Sequence, residues 1–397
     1  MATKAGVGKS TSKKSFDAGR EAALQAMEQI GDGRIDLVMA FATTGYDQTA
    51  LLQGVTDVTG SAPMTGCSAE GVITQAGSDE GSHAVTVMLV RSEGMTFQTL
   101  FASGVGTNAA ECGKAVADSL KDKGGGKLLL VFPDGLTANC TDFLSALEAN
   151  KPAGLAVAGG GAGEMMRFEK TYQYHDGNVY NDGVAALLIG GAVQADVVVS
   201  HGCEPIGVEH TITKTEGGYI LEIDDEPAWD LFREYCEDDP EDLASAEVVY
   251  LSIGERLPPE LAGDYDAFII RTPLGLDKER GALFYPGGMA EGTTVQLTRR
   301  DADKIHDGVI KSASRIGERH PDQKPALVFQ FDCCGRGRLI FGEKTTEVTI
   351  DPMQQAIGKD VPWVGFHCYG EIAPINGKTY YHNNTVVLCA LYEPAAN

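Results

Sequence analysis

Thr65-Gly66-Cys67-Ser68-Ala69-Glu70-Gly71-Val72-Ile73 and, near the far end of the chain, Val364-Gly365-Phe366-His367-Cys368-Tyr369-Gly370-Glu371-Ile372 share one pattern. In each, two glycines stand five apart and a histidine follows twelve residues after the second (His83, His382). A threonine and an apolar run come next, Thr86-Val87-Met88-Leu89-Val90 and Thr385-Val386-Val387-Leu388-Cys389. A gapless correspondence over about two dozen positions marks one structural unit used repeatedly. A looser third copy runs from Leu155 through Gly159-Gly160-Gly161-Ala162-Gly163-Glu164 to Asp182-Gly183-Val184. Each copy is preceded by an apolar run ending in phenylalanine: Leu37 to Phe41, Leu128 to Phe132, and Leu327 to Phe331. The unit reads strand, helix or loop, strand, glycine turn, then strand or hairpin.

Working outward, Asp17–Ile30, Asn108–Lys121, Thr141–Ala149 and Ala302–Ile316 carry helical apolar stripes. Leu221 to Trp229 reads as a strand, a turn and a helix opening at Pro227, and a domain boundary is placed near residue 225. The expected architecture is α/β: two domains of mixed, mostly antiparallel sheets with helices, built from internally repeated units. Residues 1–25 read as a flexible basic tail, 26–224 as the first domain and 225–397 as the second. Gly6-Val7-Gly8-Lys9-Ser10 resembles the end of a phosphate loop, but Thr3 stands where the first glycine is needed and no strand precedes it.

The chain of 397 residues is 43% hydrophobic and 22% charged, a soluble globular balance. A net charge of −24 argues against nucleic-acid or anionic-membrane surfaces, which need Lys and Arg. The sequence shows no membrane-length apolar run and no signal-peptide pattern at its start, and its nine scattered cysteines suit a reducing, cytoplasmic setting.

Cys67, on a turn between Gly66 and Gly71, invites a nucleophile reading, but the spacing differs from a nucleophile elbow and the later copy holds Phe366, His367 and Cys368 there. A turn whose backbone lines a pocket is the favoured account of Gly66, Cys67, Gly365, Gly370 and Glu371. Cys333-Cys334-Gly335-Arg336 leaves a strand, and an arginine such as Arg336 suits a carboxylate, either a ligand's or that of Glu371. His382, beside Tyr380 and Tyr381, is the first candidate for a ligand-facing imidazole, ahead of His201, His367 and His83.

The order of these motifs resembles the FIST family, with its FIST N and FIST C regions. Gly66 to Gly71, Gly159 to Glu164 with Asn181 to Val184, and His201 to Gly207 with Glu222, Pro227 and Ala228 look like the N region. Arg271, Gly281 to Leu283, Arg300-Asp301, Cys334 to Gly337 and Gly365 to Ile372 with Asn384-Thr385 look like the C region. The resemblance implies a small-ligand signal-input protein, not an enzyme. It would act in trans on a histidine kinase, chemoreceptor or cyclic-dinucleotide enzyme, and a homo-oligomer is compatible. One branch of the family senses nitric oxide through b-type haem held by a histidine; His382 is the iron ligand that this branch would suggest here. An amino acid or other metabolite is the competing ligand, and a thiol-dependent enzyme using Cys67 the competing class.

Overall fold

The computed structural model describes residues 3–121, 124–245, 247–262 and 265–394. One unit recurs three times. The first runs β1 (Lys4–Ser10), α1 (Ser15–Ile30), β2 (Leu37–Thr43), α2 (Gln48–Thr59), β3 (Met64–Ala69), the hairpin β4 (Gly71–Thr74) and β5 (Gly77–Asp79), then β6 (Val85–Arg91). The second runs β7 (Met95–Ser103), α3 (Ala109–Asp118), β8 (Gly126–Pro133), α4 (Cys140–Asn150), β9 (Ala156–Gly160), the hairpin β10 (Gln173–His175) and β11 (Asn178–Tyr180), then β12 (Gly183–Gly191).

The third opens with β13 (Gln194–His201) and is split by an insertion. The insertion comprises β14 (Cys203–Glu216), β15 (Tyr219–Ile223), β16 (Glu226–Pro227), α5 (Ala228–Arg233), β17 (Leu251–Arg256), α6 (Pro259–Ala262), β18 (Phe268–Arg271), β19 (Gly275–Asp277), β20 (Ala282–Phe284) and β21 (Thr294–Arg300). The unit resumes with α7 (Ala302–Arg319), β22 (Leu327–Cys333), α8 (Arg338–Phe341), α9 (Asp351–Ile357), β23 (Trp363–Cys368), the hairpin β24 (Glu371–Ile375) and β25 (Lys378–His382), and β26 (Thr385–Tyr392). Helix starts follow local chemistry: Asp47, Asn108, Asn139 and Asp301 each accept a hydrogen bond from a first-turn amide of α2, α3, α4 and α7.

The three unit sheets have one topology: β1-β6-β2-β3, β7-β12-β8-β9 and β13-β26-β22-β23, with the last two strands of each parallel. A hairpin from another unit completes each sheet. β10–β11 joins β3, β24–β25 joins β9, and β4–β5 joins β23. Each unit thus lends its hairpin to a neighbour in a closed cycle, giving pseudo-threefold symmetry. The insertion forms the fourth sheet, ordered β18-β17-β21-β14-β15-β20-β19, with β16 against β15.

Equivalent residues meet on the axis. Phe41, Phe132 and Phe331 lie near the C-terminal ends of the central strands, and Phe366 packs among them with ring centroids 4.5–6.0 Å away. In the second parallel strands, Gly66, Gly159 and Gly365 lie so close to the neighbouring strand that a Cβ would sit 1.8–2.0 Å from the carbonyl oxygens of Ala40, Val131 and Gln330. Just beyond, three backbone bonds close a ring: Glu70 N–H to His367 O, Tyr369 N–H to Gly161 O, and Gly163 N–H to Ser68 O, each 3.0 Å.

The repeated-unit, mixed α/β expectation holds, and the loose third copy is a full unit. The tail reading is corrected. Lys4–Ser10 is an edge strand paired with β6, and α1 packs across it. Gly6 and Gly8 face that helix, where a Cβ would stand 2.2 Å and 1.9 Å from the carbonyl oxygens of Ala26 and Ala22. The glycines that mimic a phosphate loop therefore serve a strand–helix contact. The division near 225 lies inside the fourth sheet, at the turn between β15 and β16.

Gly159→Ala should destabilise the protein by about 3 kcal/mol or more, because its Cβ meets rigid backbone. Gly317→Ala, at an open position in α7, should be neutral or stabilise by up to about 1 kcal/mol. Chaotrope unfolding of both variants checks the contrast.

Candidate functional site

At the C-terminal end of β22 the strand turns polar while still enclosed. Gln330 and Asp332 are fully buried, and a tight turn over Cys334–Arg336 carries Arg336 back to Asp332. Arg336 Nε donates to Asp332 Oδ1 at 3.0 Å. The other Asp332 oxygen accepts from Gln330 Nε2 at 3.0 Å, and Gln330 Oε1 accepts from Trp363 Nε1 at 2.9 Å. Arg336 is 0% exposed, yet neither Nη1 nor Nη2 has a hydrogen-bond partner among the described residues. An unmet buried donor costs about 1–3 kcal/mol, more when charged. Such a fork is poised for an acceptor that the protein itself does not supply.

Carboxyl groups from all three units surround the axis. Glu371 is fully buried; its Oε2 accepts from the amide and hydroxyl of Thr385 at 3.1 Å and 2.9 Å, and Oε1 from the Cys368 thiol at 3.2 Å. Burial pushes its carboxyl well above the usual range, although the bonds from Thr385 and Cys368 oppose it. Tyr369 Oη donates to Glu70 Oε2 at 2.9 Å and lies 3.4 Å from Glu164 Oε1. Burial also raises the Glu70 carboxyl, although the bond from Tyr369 opposes it. The loop after Gly163 covers this group. Met166 N–H donates to Glu70 Oε2 and to Tyr369 Oη, Phe168 N–H donates to Glu164, and Met165, Met166 and Phe168 all hold positive φ.

The fourth sheet docks on the same end. Arg300 donates to Gly335 O at 2.5 Å and to Val249 O. Asn384 Nδ2 reaches Ser252 Oγ and Thr272 Oγ1, and Arg271 joins Glu255 to the Tyr381 carbonyl.

The expected site residues fall into groups. Arg336 and Glu371 belong to the polar centre. Gly66 and Gly365 are close-packing positions rather than pocket walls, and a Cβ on Gly370 would strike the Tyr381 ring. Tyr381 is buried and its hydroxyl donates to Tyr369 O at 3.4 Å. The exposed-nucleophile reading of Cys67 is corrected: the thiol is fully buried in the core and burial pushes it up, the opposite of activation. His83 lies before β6, edge-on to Tyr46, and His367 Nε2 meets Ser78 Oγ at 2.7 Å. His201 and His382 come together through Tyr265, whose ring is 5.6 Å and 5.7 Å from theirs. Sequence reading missed Gln330, Asp332 and Tyr369; two polar residues interrupting an otherwise apolar strand are the signal that points to the first two.

Haem b was tested against His382. The imidazole is wholly enclosed, Nε2 meets the Ala373 carbonyl at 3.2 Å, and Nδ1 has no partner. A cleft of about 290 Å³ between Val197, Val199, Tyr265 and Asn376 does not include His382 in its wall. The residues as arranged do not fit a porphyrin plane beside this histidine.

The chain is thus a pseudo-threefold α/β scaffold that encloses an unmet cationic fork. The FIST N domain model matches residues 36–226 and the FIST C domain model residues 228–374, and the chain belongs to the FIST family. FIST domains are small-ligand sensory domains of signalling proteins. An uncharacterised protein of Mycobacterium tuberculosis is 28% identical over 386 residues, 96% of this chain and 97% of its own. An uncharacterised protein of Methanocaldococcus jannaschii is 24% identical over 58% of this chain and 47% of its own. Among solved structures, a cyanuric acid hydrolase from A. caulinodans shares 10% identity at a TM-score of 0.30, covering 48% of this chain and 71% of its own; so low a score carries no argument. No described helix is long and apolar enough to cross a membrane.

Burial holds His382 down to about 3 and His201 to about 4. Both stay neutral when folded while the unfolded chain protonates near the ordinary value, so their contribution is full above about pH 6.5 and is lost as pH falls toward those values. Glu371 runs the other way, weakening the fold as pH rises above the ordinary carboxyl range. The clean reading is a difference. Between pH 6.5 and 5, His382→Asn should lose less stability than the wild type, by about 1.6 kcal/mol, in chaotrope unfolding.

Proposed function

We propose that this chain is a sensory protein whose small ligand presents an anionic acceptor, a carboxylate or its equivalent, to the two free nitrogens of Arg336. The unpartnered, fully enclosed guanidinium is the observation that carries this reading. Asp332 neutralises the arginine charge, so an incoming anion is held chiefly by paired charge-assisted hydrogen bonds. Metabolites with a carboxyl head, amino acids among them, have this chemistry.

Binding supports signalling through the turn itself. Arg336 ends the Cys334–Arg336 turn, and Gly335 of that turn accepts from Arg300 of the fourth sheet. Seating an anion on Arg336 biases the position of the turn and thereby the docking of that sheet, a two-state device whose output surface faces a separate partner. A histidine kinase, a chemoreceptor or a cyclic-dinucleotide enzyme acted on in trans is the partner class proposed, in the cytoplasm. The buried, unactivated Cys67 favours binding over thiol catalysis.

The test is a thermal-shift screen of small carboxylates, followed by Arg336→Gln. A ligand at about 100 times its Kd should add roughly 2.7 kcal/mol to the wild type and nothing to the variant. An equal rise in both would reject the site. An absorption spectrum taken on the same preparation decides the haem reading. A Soret band that His382→Ala erases would replace the carboxylate with haem b and nitric oxide, with the imidazole leaving Ala373.

A further inference from the structure

The Cys333-Cys334 pair is a motif that the ligand site does not use. Cys333 ends β22, buried beside Asp332, and Cys334 opens the turn, half-exposed. Arg300 from the fourth sheet stands over them. Its Nη1 and the Cys333 sulfur border the same face of Gly335, 2.6 Å and 3.5 Å from where a Cβ would be.

Arg300 is 8% exposed, donates hydrogen bonds only to carbonyl oxygens, lies over the Tyr250 ring with its Cζ 5.5 Å from the centroid, and has an unmet Nε. Among the described residues no carboxylate lies within ion-pair reach of it, and Asp332 answers Arg336. A buried cation without a counter-charge is costly, and an ionised sulfur at this place supplies one.

We propose that Cys333 is a modification site: a thiolate that hydroperoxides oxidise, with Cys334 as the thiol that resolves the product.

The surroundings agree. The Cys334 thiol donates to the Cys333 sulfur, the amides of Gly335 and Asn384 and the charge of Arg300 add to it, and together they outweigh burial and bring Cys333 down to about 6. A 3.9 Å contact to Asn384 Oδ1 opposes this weakly. Cys334 is pushed up, as are Cys67, Cys112, Cys140, Cys203, Cys368 and Cys389 in the interior and the half-exposed Cys236. Cys236 is the competitor that exposure alone would favour.

The Cys333 thiolate attacks one peroxide oxygen; an S–O bond forms, the O–O bond breaks, and the alcohol or water leaves with a proton. The Cys334 sulfur then attacks the sulfenic sulfur. An S–S bond forms, the S–O bond breaks and water departs, so the two thiols lose two electrons and the peroxide gains them. Neighbouring Cα atoms are ~3.8 Å apart, below the ~4.4–6.8 Å that disulfides prefer, so the product is strained and readily reduced. Closing it pulls on the turn that carries Arg336.

The test is limiting hydrogen peroxide at pH 6, then thiol blocking and peptide mass mapping. Cys333, the one thiol held below the ordinary range, should be oxidised before Cys236, whose thiol is pushed up. The wild type should show a loss of two hydrogens on the peptide holding both cysteines. Cys334→Ala should stop at a dimedone adduct on Cys333, and Cys333→Ser should leave Cys334 unoxidised. Cooperative unfolding of each variant confirms that it is folded. Oxidation of Cys236 first, no adduct on Cys333 in folded Cys334→Ala, or unchanged oxidation of Cys334 in Cys333→Ser would overturn the assignment.

Discussion

Three backbone hydrogen bonds on the pseudo-threefold axis hold the molecule's parts in register. Glu70 binds His367, Tyr369 binds Gly161, and Gly163 binds Ser68, so each unit is clasped by the next. The clasp needs the second strands to run close to the first, and Gly66, Gly159 and Gly365 permit that approach. Below it, the phenylalanine cluster excludes water, so the ring bonds form in a low-dielectric setting where they are strong and where losing one is costly. Lending hairpins around the cycle ties each unit to the two others.

The scaffold is symmetric, but the chemistry is not. The position held by Cys67 in the first unit is Gly160 in the second and Phe366 in the third, and that one large ring plugs the axis. Only the third unit continues its central strand into Asp332, Cys333 and a turn bearing Arg336. A buried ion pair is weak support for stability, because desolvation offsets attraction. Arg336 keeps one such pair and leaves the rest of its guanidinium unmet, a cost that a binding role explains and a packing role does not. The insertion that splits the third unit brings Arg300 and Arg271 to the same end, with Arg300 bonded to the turn through Gly335 O.

Much of this was legible in the residues. The glycine pairs and the phenylalanine-ended strands announced the repeat, because close strand approach and axial packing demand those residues at fixed spacing. Arg336 stood out for its place just past a strand. Other features were hidden by their range. Hairpin exchange pairs strands far apart in sequence whose apolar pattern would suit a partner in their own unit equally well. Splitting of the third unit separates β13 from β22 by the whole fourth sheet, so their shared sheet could not be read from neighbouring sequence. The first strand was read as a tail because Gly6 and Gly8 carry no side chain to betray the helix above them. His382 looked like a ligand because sequence shows its neighbours but not the enclosure around it.

The most direct measurement is an atomic-resolution crystal structure of the protein as purified from cells. The account predicts density for a small anionic molecule with acceptor atoms about 3 Å from both Nη1 and Nη2 of Arg336. A guanidinium whose nitrogens are instead satisfied by protein carbonyls or by Glu371, with no space for a guest, would contradict it.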